Sequence, residues 1–219
     1  TVAYNKANKA RLVLDCRHIN PFLHLFKVKF EDIKIADQMF DKYSYVFTFD
    51  LKSAYHHIDI FPAHRTYLGF SWKDGSSEKF YCYNSLPFGI ATAGHIFTKV
   101  LRCLVKHCRA KGHRVIMFLD DGIGGQTQFM KAKESSEFVR NSIIELGFLI
   151  AEEKCDWVPK RTAVWLGHVL DFDRNRLFIT EERISRLLTA ISSLLFQMKT
   201  ERSNLIPVRY LASVTGQII

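Results

Sequence analysis

The chain has 219 residues, 47% of them apolar and 13% aromatic, enough to bury a sizeable core and to exclude a mostly disordered protein. Its 31 Lys and Arg outnumber 22 Asp and Glu, giving a net charge of +9 that favours polyanionic partners through phosphate contacts and counterion release. An inert basic surface gives the same balance, so charge leaves both readings open. The five cysteines, Cys16, Cys82, Cys103, Cys108 and Cys155, are odd in number and lack disulfide-framework or zinc spacing, so reduced thiols are expected. Cys103 and Cys108, near His107 and His113, fall in an amphipathic helical pattern where a buried Cys acts as a small apolar residue. No stretch reaches the roughly 18 apolar residues of a membrane span. The chain opens on Thr1 without a signal-peptide pattern, so a segment of a longer, intracellular, non-secreted protein is expected.

In chain order, Arg11 to Asp15 and Tyr45 to Asp50 are short runs of β-formers, each ending in an aspartate, and both predict strands. Tyr67 to Trp72 and Lys79 to Tyr83 flank Asp74-Gly75, the signal of a hairpin with a slightly long loop. Phe97, Val100, Leu101, Leu104, Val105 and Cys108 recur at helical spacing, and Gly112 stands where that helix would stop. Val115 to Leu119 predicts a buried strand running into Asp120-Asp121-Gly122, with Gly124-Gly125 after a short return strand. A polar helix over 129–146 ends at Gly147, and Gly167 separates a strand pair, Ala163 to Leu166 and His168 to Asp171. Thr180 suits the cap of a helix with a core face of Ile184, Leu187, Leu188, Ile191, Leu194, Leu195 and Met198. Pro207 suits the first turn of a last helix. Irregular alternation of strands and helices with antiparallel hairpins is an α+β pattern.

The chemistry concentrates in Met117-Phe118-Leu119-Asp120-Asp121-Gly122, where adjacent acids leave an apolar strand at a turn. Two uncompensated buried carboxylates cost several kcal/mol, and a divalent cation is the natural compensation. Mg²⁺ needs only one or two carboxylates plus water and substrate phosphates. Acidic surface turns are common, but a second strand, Val46 to Phe49, also ends in acid at Asp50. Side by side, the two strand ends suit a pair of ions about 3.5–4 Å apart acting on an in-line displacement. The plainer reading of Asp50 is a cap for a short helix starting at Leu51.

Six blocks now stand in order: Arg11 to Asn20, Asp50-Leu51-Lys52-Ser53-Ala54-Tyr55, Leu86-Pro87-Phe88-Gly89, Phe118-Leu119-Asp120-Asp121, Glu153-Lys154-Cys155 and Trp165-Leu166-Gly167-His168. Over roughly 6–172 this series resembles the fingers motif and motifs A to E of reverse transcriptases. The likeness is nearest to DIRS-type tyrosine-recombinase retrotransposons, with Gypsy-type elements and pararetroviruses next. Ala93-Gly94-His95 stands where many relatives have Ala-Pro, which leaves the start of the following helix open.

The resemblance implies a right-hand polymerase: fingers over 1–24 and 58–92, a ferredoxin-like split βαββαβ palm with an antiparallel sheet over 25–57 and 93–172, and the start of a thumb or connection over 173–219. It implies an RNA-directed DNA polymerase that extends a DNA primer on an RNA or DNA template with deoxynucleoside triphosphates, as part of a retroelement polyprotein, without a membrane partner. Asp50, Asp120 and Asp121 would hold two Mg²⁺ ions, or Mn²⁺, and Lys154 would protonate the leaving pyrophosphate. Arg11 with Lys6 or Lys9 would clasp the triphosphate, and Ala54, Tyr55, Phe88 and Gly89 would line the nucleotide site. Trp165, Leu166, Gly167 and His168 would form the primer grip, although Trp165 itself reads better as core. A catalytically silent nucleic-acid-binding palm and an RNA-dependent RNA polymerase are the rival readings; Tyr55 and Leu86-Pro87-Phe88-Gly89 favour DNA synthesis.

Overall fold

The computed structural model describes residues 2–4, 10–200, 206 and 208–218. Four strands, β3 (Tyr45–Asp50), β6 (Arg114–Phe118), β7 (Asp121–Gln126) and β8 (Asp156–Lys160), form one antiparallel sheet in the order β6-β7-β3-β8. Helix α2 (Ala93–Ala110) joins β3 to β6, and α3 (Phe129–Glu145) joins β7 to β8. That is the split βαββαβ arrangement, with the acid-bearing strands β3 and β7 as central neighbours.

Side-chain alternation explains the two layers. Phe47, Phe49, Val115 and Met117 face α2 and α3, burying Phe97, Leu101, Leu104, Val139 and Ile143. Val46, Ile116 and Ile123 face the other way, onto Ala36 and Phe40 of α1 (Ile33–Met39) and its C-cap, and onto Trp165 and Leu170. Asp32 caps α1 by accepting from the Lys34 and Ile35 amides. Each fully buried Phe contributes roughly 1.5–3 kcal/mol. Gly122 and Gly124 make room for this packing: paired with Phe49 and Phe47, an added Cβ would lie 2.2 and 2.4 Å from those rings. Gly124-Gly125 thus belong inside the return strand β7 and do not follow it.

Three smaller sheets accompany the four-stranded sheet among the described residues. The first strand, expected over Arg11 to Asp15, is β2 (Ala10–Leu12) paired with β1 (Val2–Tyr4); beyond it the chain turns in, and the Leu14 amide donates to the Phe88 carbonyl at 3.1 Å. Hairpin β4 (Gly69–Asp74)–β5 (Ser77–Cys82) closes on Gly75-Ser76, a tighter loop than expected, because pairing continues through Lys73 with Glu78 and Asp74 with Ser77. Strand β4 starts two residues late because Tyr67 and Leu68 belong to the preceding 3-10 segment Pro62–Leu68. Strands β9 (Thr162–Trp165) and β10 (His168–Asp171) gain a third partner, β11 (Arg176–Ile179).

Helix α2 begins at Ala93 despite the Gly94-His95 departure, and Gly112, at φ +87°, ends it. Cys108 is buried on its core face, whereas Cys103 is exposed, contrary to expectation. Helix α4 (Glu181–Thr200) follows Thr180, whose carbonyl accepts from the Ile184 amide at 3.1 Å. Its expected core face is only partly covered by α5 (Val208–Ile218): Ile184, Leu188, Leu195 and Met198 are exposed. Pro207 lies outside the described residues. Among the described residues, no helix is long and apolar enough to cross a membrane.

Candidate active site

Strands β6 and β7 meet in a two-residue turn, Leu119-Asp120, closed by the Phe118–Asp121 pair. Leu119 has φ +53°, a region that glycine takes freely and a branched side chain takes at a cost of roughly 1–3 kcal/mol. The neighbouring strand holds this turn: the Leu51 amide donates to the Asp120 carbonyl at 3.0 Å. Across the sheet Asp50 lies directly opposite Asp121, so three carboxylates gather where β3, β7 and the turn end.

These groups are crowded in a poorly solvated place. Asp50 is 8% exposed, and its Oδ2 accepts from Lys154 Nζ at 2.9 Å. Burial first, then the Asp120 and Asp50 charges and a hydrogen bond with Asp50, push the Asp121 carboxyl up to about 7, against the pull of Lys154. The bond to Asp50 raises Lys154 above the ordinary lysine value, outweighing burial. Among the described residues no three His, Cys, Asp or Glu side chains form a ready-made metal cage. The donors nevertheless fit a hard divalent cation: all are carboxylate oxygens, and both the burial that chiefly raises Asp121 and the repulsion from Asp120 and Asp50 that adds to it are offset by such a charge.

Tyr55 stands in a 3-10 segment, Ala54–His57, five residues beyond Asp50. Its ring lies between Phe88 and Phe97, with centroids 5.1 and 5.4 Å away, and its hydroxyl is raised by burial and then by the Asp120 charge. Ala54 is buried in the core beneath. Gly89, at φ +112°, has a packing reason of its own: a Cβ there would lie 2.1 Å from the Leu14 carbonyl oxygen. Lys6 and Lys9 lie outside the described residues, and of Arg11 only the backbone is described, paired with Ala3.

The block 165–168 divides in two. Trp165, 4% exposed, is core against the underside of β6 and β7, together with Leu170. Leu166 and Gly167, at φ +49° and +73°, make the turn, and His168 Nδ1 lies 2.9 Å from the Leu166 carbonyl.

Sequence reasoning passes over two features here. Cys155, known only as part of a block, places its thiol on the Asp50 backbone amide at 3.3 Å. A cavity of about 430 Å³ beside Leu119 gathers Lys29, Arg102 and Lys106, together with Arg109 paired to Glu31 at 2.8 Å, around Phe30 and Met117. The charges that make it come from a loop and a helix far apart in sequence. The roomier cavity of about 910 Å³, lined by Phe22, Ile58, Phe61 and Tyr67, includes none of the three carboxylates.

The chain matches the family described as reverse transcriptase (RNA-dependent DNA polymerase) over residues 3–170. No curated protein matches it. Among solved structures it is similar to the foamy viral protease-reverse transcriptase with double-stranded DNA, at TM-score 0.76 and 17% identity, covering 99% of this chain and 34% of that one. A foamy viral protease-reverse transcriptase in complex with RNA/DNA hybrid gives TM-score 0.72 at 16% identity, covering 99% and 26%. The native prototype foamy virus enzyme gives 0.63 at 16%, covering 99% and 28%. The chain therefore spans about a quarter to a third of the length of these proteins, and at such identities the likeness is one of fold.

Proposed function

The chain belongs to the reverse transcriptase (RNA-dependent DNA polymerase) family, whose members are nucleotidyltransferases, and from that premise we propose that it is the polymerising part of a retroelement protein. Its substrates are a DNA primer paired with an RNA or DNA template, and deoxynucleoside triphosphates. The observation that carries this reading is the pairing of Asp50 with Asp121 across β3 and β7, with Asp120 in the adjoining turn. The foamy viral relatives held with double-stranded DNA and with RNA/DNA hybrid support a duplex as the partner. We assign 1–24 and 58–92 to the fingers, 25–57 and 93–172 to the palm, and the remainder to the start of a thumb or connection. The wording of Leu86-Pro87-Phe88-Gly89 and Phe118-Leu119-Asp120-Asp121 supports a lineage near DIRS-type elements, with Gypsy-type next.

In this reading Asp50, Asp120 and Asp121 hold two Mg²⁺ or Mn²⁺ ions. Bound there, such ions activate the attacking oxygen and stabilise the leaving oxygen of an in-line displacement. Lys154 Nζ holds a proton 2.9 Å from Asp50 Oδ2 and delivers it to the departing pyrophosphate. Tyr55, Phe88 and Gly89 wall the nucleotide site over the buried Ala54, while Lys6 and Arg11 meet the triphosphate. The turn Leu166-Gly167-His168 holds the primer strand, with Trp165 anchoring it from the core.

Primer extension tests this directly. With Mg²⁺ or Mn²⁺ the chain should extend a DNA primer on both RNA and DNA templates, with deoxynucleotides favoured over ribonucleotides. Binding of the duplex without extension would identify a catalytically silent palm, and extension with ribonucleotides alone would identify an RNA polymerase.

A further inference from the structure

Pairing of β3 with β8 stops at Thr48 and Asp156, because the 3-10 turn Glu152–Lys154 carries the chain away from the sheet. The end of β3 would otherwise lack a partner on that side, and the Ala151–Cys155 turn supplies one. The Ala151 amide donates to the Asp50 carbonyl at 2.9 Å, and the Asp50 amide donates to Cys155 Sγ at 3.3 Å. The Cys155 S–H donates to the Ala151 carbonyl at 3.2 Å, closing a ring of three bonds. A second tie stands farther along: the Lys52 amide donates to the Leu149 carbonyl at 2.8 Å, and the Leu149 amide to His57 Nε2 at 3.1 Å.

We propose that Cys155 is a positioning residue for Asp50: its thiol replaces a missing strand carbonyl and holds the Asp50 main chain in register with the turn that presents Lys154. This rests on reading Asp50 and Lys154 as part of the nucleotidyl-transfer centre. Cys155 also packs against the core around Phe49, so a filler role must be separated from a bonding one. The two roles order the variants oppositely. A filler tolerates Cys155→Ala better than Cys155→Ser, because serine brings a hydroxyl into apolar surroundings. A positioning thiol is replaced better by serine, which keeps an acceptor and a donor, than by alanine, which leaves the Asp50 amide unpaired.

Two readouts on the whole chain test it, with circular dichroism melts verifying that each variant is folded. In amide hydrogen exchange, Cys155→Ala should speed exchange at Asp50 by about fivefold or more, and Cys155→Ser should restore most of the protection. In single-nucleotide incorporation, Cys155→Ala should lower kcat by about tenfold through misplacement of the reacting groups, and Cys155→Ser should recover most of it. The nucleotide KM should stay within about twofold, since no contact with substrate is removed. Unchanged Asp50 exchange in Cys155→Ala, or a serine variant worse than the alanine variant in both readouts, would overturn the proposal. Failure of the unaltered chain to extend a primer would overturn the polymerase reading instead, and the exchange experiment would still decide the thiol bond. If Cys155→Ala does not fold, Cys155→Ser decides: native-like Asp50 protection and kcat support the proposal, and loss of both overturns it.

Discussion

Tyr55 is held between Phe88 and Phe97, so its ring is a wall with little freedom to retreat. A 2′-hydroxyl that must share its volume costs on the order of 1–3 kcal/mol, by analogy with an overpacked core. Tyr55→Val should therefore raise ribonucleotide relative to deoxyribonucleotide incorporation by about tenfold in competition assays. An unchanged ratio in a folded, extending variant would make Tyr55 core alone. Gly124 offers a second residue-scale test: Gly124→Ala drives a Cβ to 2.4 Å from the Phe47 ring and should lower unfolding stability by about 1–3 kcal/mol in urea titration. At this scale the legible residues are those whose meaning is local. Asp50 and Asp120 each end a run of β-formers, and that pattern announces an acid at a strand end. Cys155 acts on a backbone amide 105 positions away, and no spacing rule reaches that far. Gly122 and Gly124 carry the signal of turns and have the job of seating two rings, visible only once β3 and β7 are paired in register.

Among the elements, strands β3 and β6 and helices α2 and α3 stand close to where the sequence places them: the two strands bury apolar residues on both faces, α2 buries one apolar stripe, and α3, whose buried face mixes Ala132, Val139 and Ile143 with Ser135, Ser136 and Ser142, is bounded by Gly147. Strand β8 escapes notice for a physical reason: it contains Pro159, which argues against a strand, and it sits at the sheet edge where proline is tolerated. The connection from α2 to β6 rests on α3 through His113, whose ring stacks on Phe138 at 4.2 Å and whose Nδ1 meets Ser135 Oγ at 2.8 Å. Burial holds His113 below its ordinary 6.5, against the pull of Glu134. The folded state therefore favours the neutral ring, while the unfolded chain takes up the proton first as pH falls. The stability from this group is full above about pH 6.5 and is lost as pH falls through the lower folded value. Urea midpoints should drop on acidification in the native chain, and His113→Gln should remove part of that drop; an identical drop would assign it to other groups. On α2 itself, burial raises the Cys108 thiol to about 11, whereas Cys103 is exposed. A maleimide should modify Cys103 and Cys82 in the native protein and reach Cys108 only after unfolding, read by mass spectrometry of peptides.

For the whole molecule, the charge of +9 and the cavity where Lys29, Arg102 and Lys106 stand beside the Arg109–Glu31 pair predict backbone-tracking contact with nucleic acid. Affinity for a primer-template should fall steeply with salt and vary little with sequence, and a flat dependence of log affinity on log salt would refute such contact. The half-covered apolar stripe of α4 marks the limit of sequence reading at this scale: periodicity reveals that a helix has an apolar face, and says nothing of how much of it α5 covers. The central claim is that the carboxylates at the ends of β3 and β7 perform polymerisation while the basic surface performs binding. Its most direct test is one paired measurement on Asp121→Asn, single-turnover incorporation alongside primer-template affinity. Asparagine keeps the size and removes the charge, so incorporation should fall by about a hundredfold or more while affinity stays within a few-fold. Incorporation at the native rate by a folded Asp121→Asn chain would contradict the account.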